Sequence, residues 1–320
     1  PSKTILPGIF IQDEIQFNPE NTLLLGYRYD YDENHGSIHS PRLAYKWNSF
    51  NKRHTLRGSF GTGFRVVNLF TEDHAALTGS REVIIKEQLK PEKSYNANLN
   101  YVGRFNTDFM NLDFDLTGFY SYFTNKILGD YDVDPNQIVY QNLKGHAISQ
   151  GISLNLNFSF GFPLRFSTGI TYMDVFRKEK NEENTEEKIE EWFAPKWSGI
   201  FVATYTLPKN FTLDITGNWN GPMRLPIHPK DYRPEYSPWF CIANVQISKK
   251  FNNGIELYGG IKNLFDFVPS EDPLMRAFDP FDQFVEDPIN NPHGYTFDTT
   301  YNYASLQGIR GFLGIRYAIF

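Results

Sequence analysis

Residues 94–101 read SYNANLNY, and in them Ser94, Asn96, Asn98 and Asn100 alternate with Tyr95, Ala97, Leu99 and Tyr101. A period of two gives an extended strand one wet face and one dry face. The same alternation returns at 111–122, where Asn111, Asp113, Asp115 and Thr117 oppose Leu112, Phe114, Leu116, Tyr120 and Tyr122. It returns again at 152–160, with Ser153, Asn155, Asn157 and Ser159 against Ile152, Leu154, Leu156, Phe158 and Phe160. At 211–219, Thr212, Asp214, Thr216 and Asn218 face away from Phe211, Leu213, Ile215 and Trp219.

The whole chain agrees with these stretches. Its 320 residues include 29 Phe, 19 Tyr, 24 Gly and 19 Pro, a composition of strands and turns. Apolar runs stop at four or five residues, which excludes a transmembrane helix. A mean hydropathy of -0.46 does not exclude a transmembrane strand, whose alternating residues average to a neutral or hydrophilic value. A net charge of -6 argues against a nucleic-acid partner. Cys241 is the single cysteine, so no internal disulfide forms and no zinc spacing exists around it. The chain opens "PSKTILPGIF" with no initiator Met and no signal peptide, which reads as an interior cut of something longer.

The pattern predicts thirteen strands, at 8–18, 21–33, 40–49, 54–65, 92–104, 110–127, 137–160, 163–177, 192–206, 210–222, 236–250, 254–267 and 305–320. Tight turns ("NPE", "SFNKR", "FNTDF", "GFP", "PKN", "FNNG") follow the odd-numbered strands and longer links follow the even ones, among them 66–91, 178–191, 223–235 and 268–304. A soluble sandwich has no reason to sort its connections in this way, whereas an outer-membrane barrel has short turns at one end and long loops at the other. Trp47, Trp192, Trp197, Trp219 and Trp239 fall near proposed strand ends, as interfacial girdles require. The fold class is therefore all-β, an antiparallel transmembrane β-barrel. An odd count of thirteen in a barrel type that is even-stranded fits a 22-stranded barrel lacking nine strands.

Four motifs and a terminal aromatic follow in order. They are "GYRYDYD" (26–32) with "SPRLAYKW" (40–47); "GSFGTGFRVVNLFTED" (58–73) with "LKPEKSYNANLNY" (89–101); "YQNLKGHAISQGISLNL" (140–156); "YGGIKNLFDF" (258–267); and Phe320. This series resembles the TonB-dependent outer-membrane receptors. Its signature residues here are Gly61, Gly63, Phe64, Arg65, Leu69 and Glu72, then Lys90, Pro91, Glu92 and Ser94, then Asn142, Ala147 and Gly151, then Asn263, Leu264, Phe265 and Asp266. The last strand departs from the pattern by placing Phe320 out of phase with Leu313, Ile315, Tyr317 and Ile319. The resemblance implies a gated transporter of the bacterial outer membrane, importing a scarce nutrient such as an iron–siderophore, cobalamin or other metal chelate. It also implies the partners: outer-membrane lipid, the receptor's own N-terminal plug domain, and the TonB complex acting through that plug. On this reading residues 1–320 are the C-terminal portion of one barrel domain, with the plug and first strands missing. The alternatives are a glycan or peptide importer working with a surface lipoprotein, a passive porin of about 14 strands, or a structural barrel.

Arg28, Arg42, Arg57 and Arg65, with Asp30, Asp113, Asp115 and Asp214, are expected to face the lumen and to hold the plug by ion pairs and hydrogen bonds. Glu72, Asp73 and His74, and Met223 and His228, are the loop residues placed to meet a metal chelate. Asp130, Asp132, Asp134 and Asn136 have the spacing of half an EF-hand loop and would offer a Ca²⁺ site, although Pro135 stands where Gly belongs and Gln141 where the bidentate Glu belongs. No other cofactor is required. Loops 178–191 and 268–304 together carry a charge of about -10, an acidic rim able to attract cations. No nucleophile elbow, P-loop or Cys-His pair is present, so the chain reads as a non-enzyme.

Overall fold

In the computed structural model the described residues are 5–66, 82–130, 137–180, 185–227, 231–269, 273–278 and 281–318. Thirteen strands hydrogen-bond in one antiparallel sheet, each to its sequence neighbour in the wall. The first six are β1 (Gly8–Asn18), β2 (Asn21–Asp32), β3 (Gly36–Asn48), β4 (His54–Arg65), β6 (Glu92–Asn106) and β7 (Met110–Asn125). They are followed by β10 (Gly145–Phe160), β11 (Leu164–Lys180), β13 (Trp197–Leu207), β14 (Phe211–Asn220), β15 (Phe240–Lys250), β16 (Ile255–Lys262) and β17 (Arg310–Tyr317). A short β12 (Glu186–Glu190) extends β11 as a hairpin. A separate three-stranded sheet joins β5 (Glu82–Ile85), β9 (Gln137–Asn142) and β8 (Ile127–Asp130), with β5 parallel to β9. Among the described residues no helix is long and apolar enough to cross a membrane.

The register decides which residues share a face, since directly paired residues project to the same side. Arg57 pairs with Asn100, Asn100 with Thr117, Thr117 with Ser153 and Ser153 with Thr171, a polar row across five strands. One residue along, Leu56, Tyr101, Leu116, Leu154 and Ile170 form an apolar row on the opposite side. The apolar face is uncovered: Leu99 is 59% exposed, Ile152 55% and Ile247 49%. An apolar surface of this extent is a contact surface, not a soluble exterior. The sorting has exceptions, because Phe10, Ile200, Val202 and Phe312 lie in register with the polar face.

Aromatic rings gather at both ends of the apolar face. At the turn end Trp47, Tyr101 and Phe105 are joined by Phe158, stacked on Phe166 with centroids 6.1 Å apart. At the loop end Trp197 packs on Tyr172 at 4.9 Å, and Trp219 stacks on Trp239 at 5.9 Å. Trp192 is off the wall, in an isolated bridge with Arg224.

Four expectations need correction. The strand expected at 137–160 is two, because the chain turns at Leu143, whose N–H bonds Lys126 O at 2.8 Å, and the first half joins the small sheet. The link after the second strand is short, not long. Asp32 Oδ1 accepts the N–H groups of Asn34 and His35, both at 3.0 Å, and Gly36 supplies a φ of 72°, so β3 begins early. The links 66–91 and 178–191 are not loops throughout, since they hold strands β5 and β12. The strand expected at 305–320 is paired only from Arg310 to Tyr317, and Phe320 lies outside the described residues.

Candidate functional site

All eight charges expected in the lumen fall in register with the polar face. They do not form one cluster. Three of them, Arg28, Asp30 and Arg65, are consumed within the wall. Arg28 grips Asp30 with Nε at 3.0 and 2.8 Å from its two oxygens and Nη2 at 2.7 Å from Oδ1. Asp30 is fully buried, and a Cβ on Gly8 would lie 2.2 Å from Asp30 Oδ1, so the close approach of β1 requires glycine there. Arg65 donates to Glu92 at 2.9 Å, and the other Glu92 oxygen accepts Ile127 N–H at 3.0 Å, tying the wall to the small sheet.

The remaining five, Arg42, Arg57, Asp113, Asp115 and Asp214, stay accessible to a partner on the polar face. Arg42 and Arg57 line a groove with Glu14, Asn98, Asn100 and Asp115. Arg57 donates to Asn100 Oδ1 at 3.1 Å, and Asn100 donates to Asp115 at 2.7 Å. Asp113 lies 3.8 Å from Arg104 with both side chains mostly exposed, a geometry worth little by itself. Asp214 accepts from Thr204 at 2.7 Å. Such a face recognises polar and charged groups and contains no catalytic arrangement among the described residues.

The motif residues turn out to be fasteners between segments. Asn142 accepts Lys90 N–H at 2.8 Å, donates to Gln88 O at 2.9 Å, and its own N–H bonds Glu87 at 3.0 Å. The Glu87 carboxyl is held below its ordinary range chiefly by that backbone N–H. Asn263 is buried at a φ of 52°, a conformation Asn tolerates. Its side chain donates to Phe267 O at 2.7 Å and Gln307 O at 3.3 Å and accepts Phe267 N–H at 2.9 Å. Asp266 accepts Ile309 N–H at 2.7 Å, so the NLFD turn fixes where β17 starts.

The loop candidates fare differently. Met223 does not face a ligand: it is buried with Leu225, Phe240 and Tyr301 in a core built between loops 221–239 and 263–309. Glu72, Asp73, His74 and His228 lie outside the described residues, as do Asp132, Asp134 and Asn136. Asp130 is the last residue of β8, paired with Val139, so strands flank this tip where an EF-hand would have helices. Among the described residues no group of three metal-ligating side chains exists.

Several rim residues escaped the sequence reading. Asp231 and Arg233 form a fully buried ion pair at 2.7 Å beneath Tyr301, whose ring centroid lies 4.2 Å from the guanidinium carbon. Glu191 sits between Lys126 at 3.0 Å and Arg177 at 3.9 Å, and Arg177 also meets Glu179 at 2.6 Å. Lys196 bonds Glu190 at 2.5 Å, which raises its ammonium pKa, and burial raises the Tyr236 phenol beside the same carboxylate. Part of the signal was present: Arg28/Asp30 and Arg177/Glu179 share an i, i+2 spacing that puts opposite charges on one side of an extended strand, whereas Asp231 and Arg233 meet at a bend in which the Arg233 N–H bonds Asp231 Oδ1 at 2.9 Å.

In the segment 281–289 two carboxylates are held low by hydrogen bonds. Asp282 is lowered below the ordinary carboxylate range by its hydrogen bonds from Arg276, and Asp287 by the N–H of Ile289 at 2.8 Å. A depressed folded pKa gives stability that is complete above the unfolded value of about 4 and lost as pH falls through the depressed one. Amide exchange at Phe284 and Ile289, corrected for intrinsic rates, is therefore expected to hold steady from pH 7 to 5 and to accelerate only below about pH 4. Loss of protection already between pH 7 and 5 would contradict the assignment.

Comparison with known proteins agrees with this architecture. Residues 2–264 match the model of the family described as TonB dependent receptor-like, beta-barrel. An iron-regulated outer membrane virulence protein of Vibrio cholerae serotype O1 is 35% identical over 120 residues, 37% of this chain and 18% of that protein. The ferric enterobactin receptor PirA of Pseudomonas aeruginosa is 24% identical over 289 residues, 83% of this chain and 37% of that receptor. The crystal structure of the siderophore receptor PirA from the same organism superposes with a TM-score of 0.61 at 20% identity, covering 83% of this chain and 44% of that one. The chain thus spans less than half the length of the relatives it matches. With thirteen paired strands, one polar and one apolar face, and a family match over most of its length, the chain belongs to the outer-membrane β-barrel of the TonB-dependent receptors.

Proposed function

We propose that this chain is a barrel wall of an outer-membrane receptor that imports an iron–siderophore complex, with energy supplied by the TonB complex. The observation that carries the reading is the continuous polar face: a porin-like channel needs a wetted lumen, but Arg42, Arg57, Asp113 and Asp214 leave charge available to an internal partner. That partner is the receptor's own N-terminal plug, and nine further strands between the unpaired edges of β1 and β17 complete a barrel of 22. The relatives, an iron-regulated outer membrane virulence protein and a ferric enterobactin receptor, support iron as the cargo. The test is uptake of radiolabelled ferric siderophores by a deletion strain carrying the complete gene under iron limitation. Uptake that appears with the gene and disappears when TonB is removed is expected. Uptake that persists without TonB would make the barrel a passive porin.

A further inference from the structure

The wall opens where β3 and β4 approach the loop end. Their ladder runs from Asn48↔Thr55 to Arg42↔Gly61 and stops. Beyond it β3 continues to Gly36, paired only with β2, and β4 continues to Arg65, paired only with β6. The stop falls beside Pro41, which has no N–H to donate to a ladder. The parted strands leave a notch of roughly 210 Å³, room for a phosphate and its ester substituents.

The lining is unusual for the apolar face on which it opens. His39 pairs with Tyr29, Thr62 with Tyr95 and Phe64 with Lys93, so these residues share the outward side. Ser37, His39, Thr62, Lys93, Tyr95 and Thr124 surround the notch, and among the described residues no carboxylate does. The Lys93 ammonium is exposed and forms no ion pair with any described residue. His39 Nδ1 lies 2.6 Å from the Tyr27 hydroxyl. With that hydroxyl donating to Nδ1, the ring proton sits on Nε2 and is free to be donated. Tyr27, Tyr29, Tyr95 and Tyr122 line the wall at this level and toward its middle, as rings do at a head-group boundary.

We propose that this notch binds the phosphate of an outer-leaflet lipid head group. The Thr62 and Thr124 hydroxyls donate to His39 O and Lys93 O, both at 3.5 Å, so the donors offered are the Lys93 ammonium, the His39 ring N–H and the Tyr95 hydroxyl. With no acid among the described residues around it, this set fits a phosphate anion, and its position just outside the aromatic girdle selects a lipid-borne one. The proposal rests on the apolar face meeting lipid.

The intact receptor in neutral detergent, titrated with short-chain phosphatidic acid and followed by native mass spectrometry, tests it. One bound lipid is expected, with phosphatidylcholine binding weakly. Lys93→Gln and His39→Phe are each expected to weaken binding by about tenfold, whereas Lys178→Gln, an outward lysine already paired with Glu186 at 3.6 Å, leaves it unchanged. Unchanged affinity in Lys93→Gln overturns the proposal, as does inorganic phosphate displacing the lipid at equal concentration. A heat-modifiable gel shift shows separately that each variant barrel is folded. If the protein remains monodisperse without detergent, the lipid-facing reading itself fails, independently of the notch.

Discussion

Replacing Asp231 with alanine is expected to unfold the body that loops 221–239 and 263–309 build above the wall, at a cost of about 3–5 kcal/mol to that body. The reason is the guanidinium left behind. Arg233 and Asp231 are completely shielded from solvent, with Arg233 Nε at 3.0 and 3.2 Å from the two carboxylate oxygens and Nη2 at 2.7 Å. The pair is roofed by Tyr301, itself fully buried and anchored by its hydroxyl to Pro234 O at 2.8 Å. Removing the carboxylate takes the bidentate counter-charge from a guanidinium whose side chain is shielded from solvent. Removing both charges, as in Asp231→Leu with Arg233→Met, is expected to cost much less, because the Tyr301 ring that covers the guanidinium offers the replacements an apolar surface. Hydrogen exchange at the amides of Leu225 and Ser237, which bond Glu235 O and Met223 O, reports the local opening. Equal protection in Asp231→Ala and the parent protein, or a double variant worse than the single one, would show that the pair does not hold this body together.

That contrast between wall and loops also explains what could be read in advance. Strands β6, β7 and β10 were legible because each residue's side is set locally, by parity, and a lipid-facing strand cannot afford a polar residue in its middle. The same parity put Arg57, Asp115 and Asp214 on one face before any pairing was known. Parity does not say which partner a charge finds on another strand, so Arg65, paired with Glu92, looked the same as Arg42. The small sheet was invisible for a different reason. Its β5 is four residues long and pairs in parallel with β9, more than fifty residues away, so no local pattern announces it. Met223 was misread because its nearest sequence neighbours, Arg224 and Pro222, suggest an open loop, while the residue that buries it, Tyr301, arrives from the next long loop.

Arginine at Leu154 is expected to destabilise the assembled barrel by about 2–4 kcal/mol, while arginine at the adjacent Asn155 costs close to nothing. Leu154 lies on the apolar face between Leu116 and Ile170, midway between the aromatic clusters at the two ends. An arginine there must leave its charge in hydrocarbon or drag water to it. Asn155 lies one step along the same strand, between Asp115 and Gly169 on the polar face. An arginine there gains a carboxylate within reach on Asp115 and remains in water. The two substitutions share a strand, a depth and an added charge, so propensity and net charge cancel and only the side of the sheet remains. Urea-induced unfolding of the intact receptor in lipid vesicles, read by the heat-modifiable gel shift, measures the difference. Equal losses for the two variants would mean that the apolar face does not meet lipid, and the reverse order would mean that the two faces have been assigned the wrong way round.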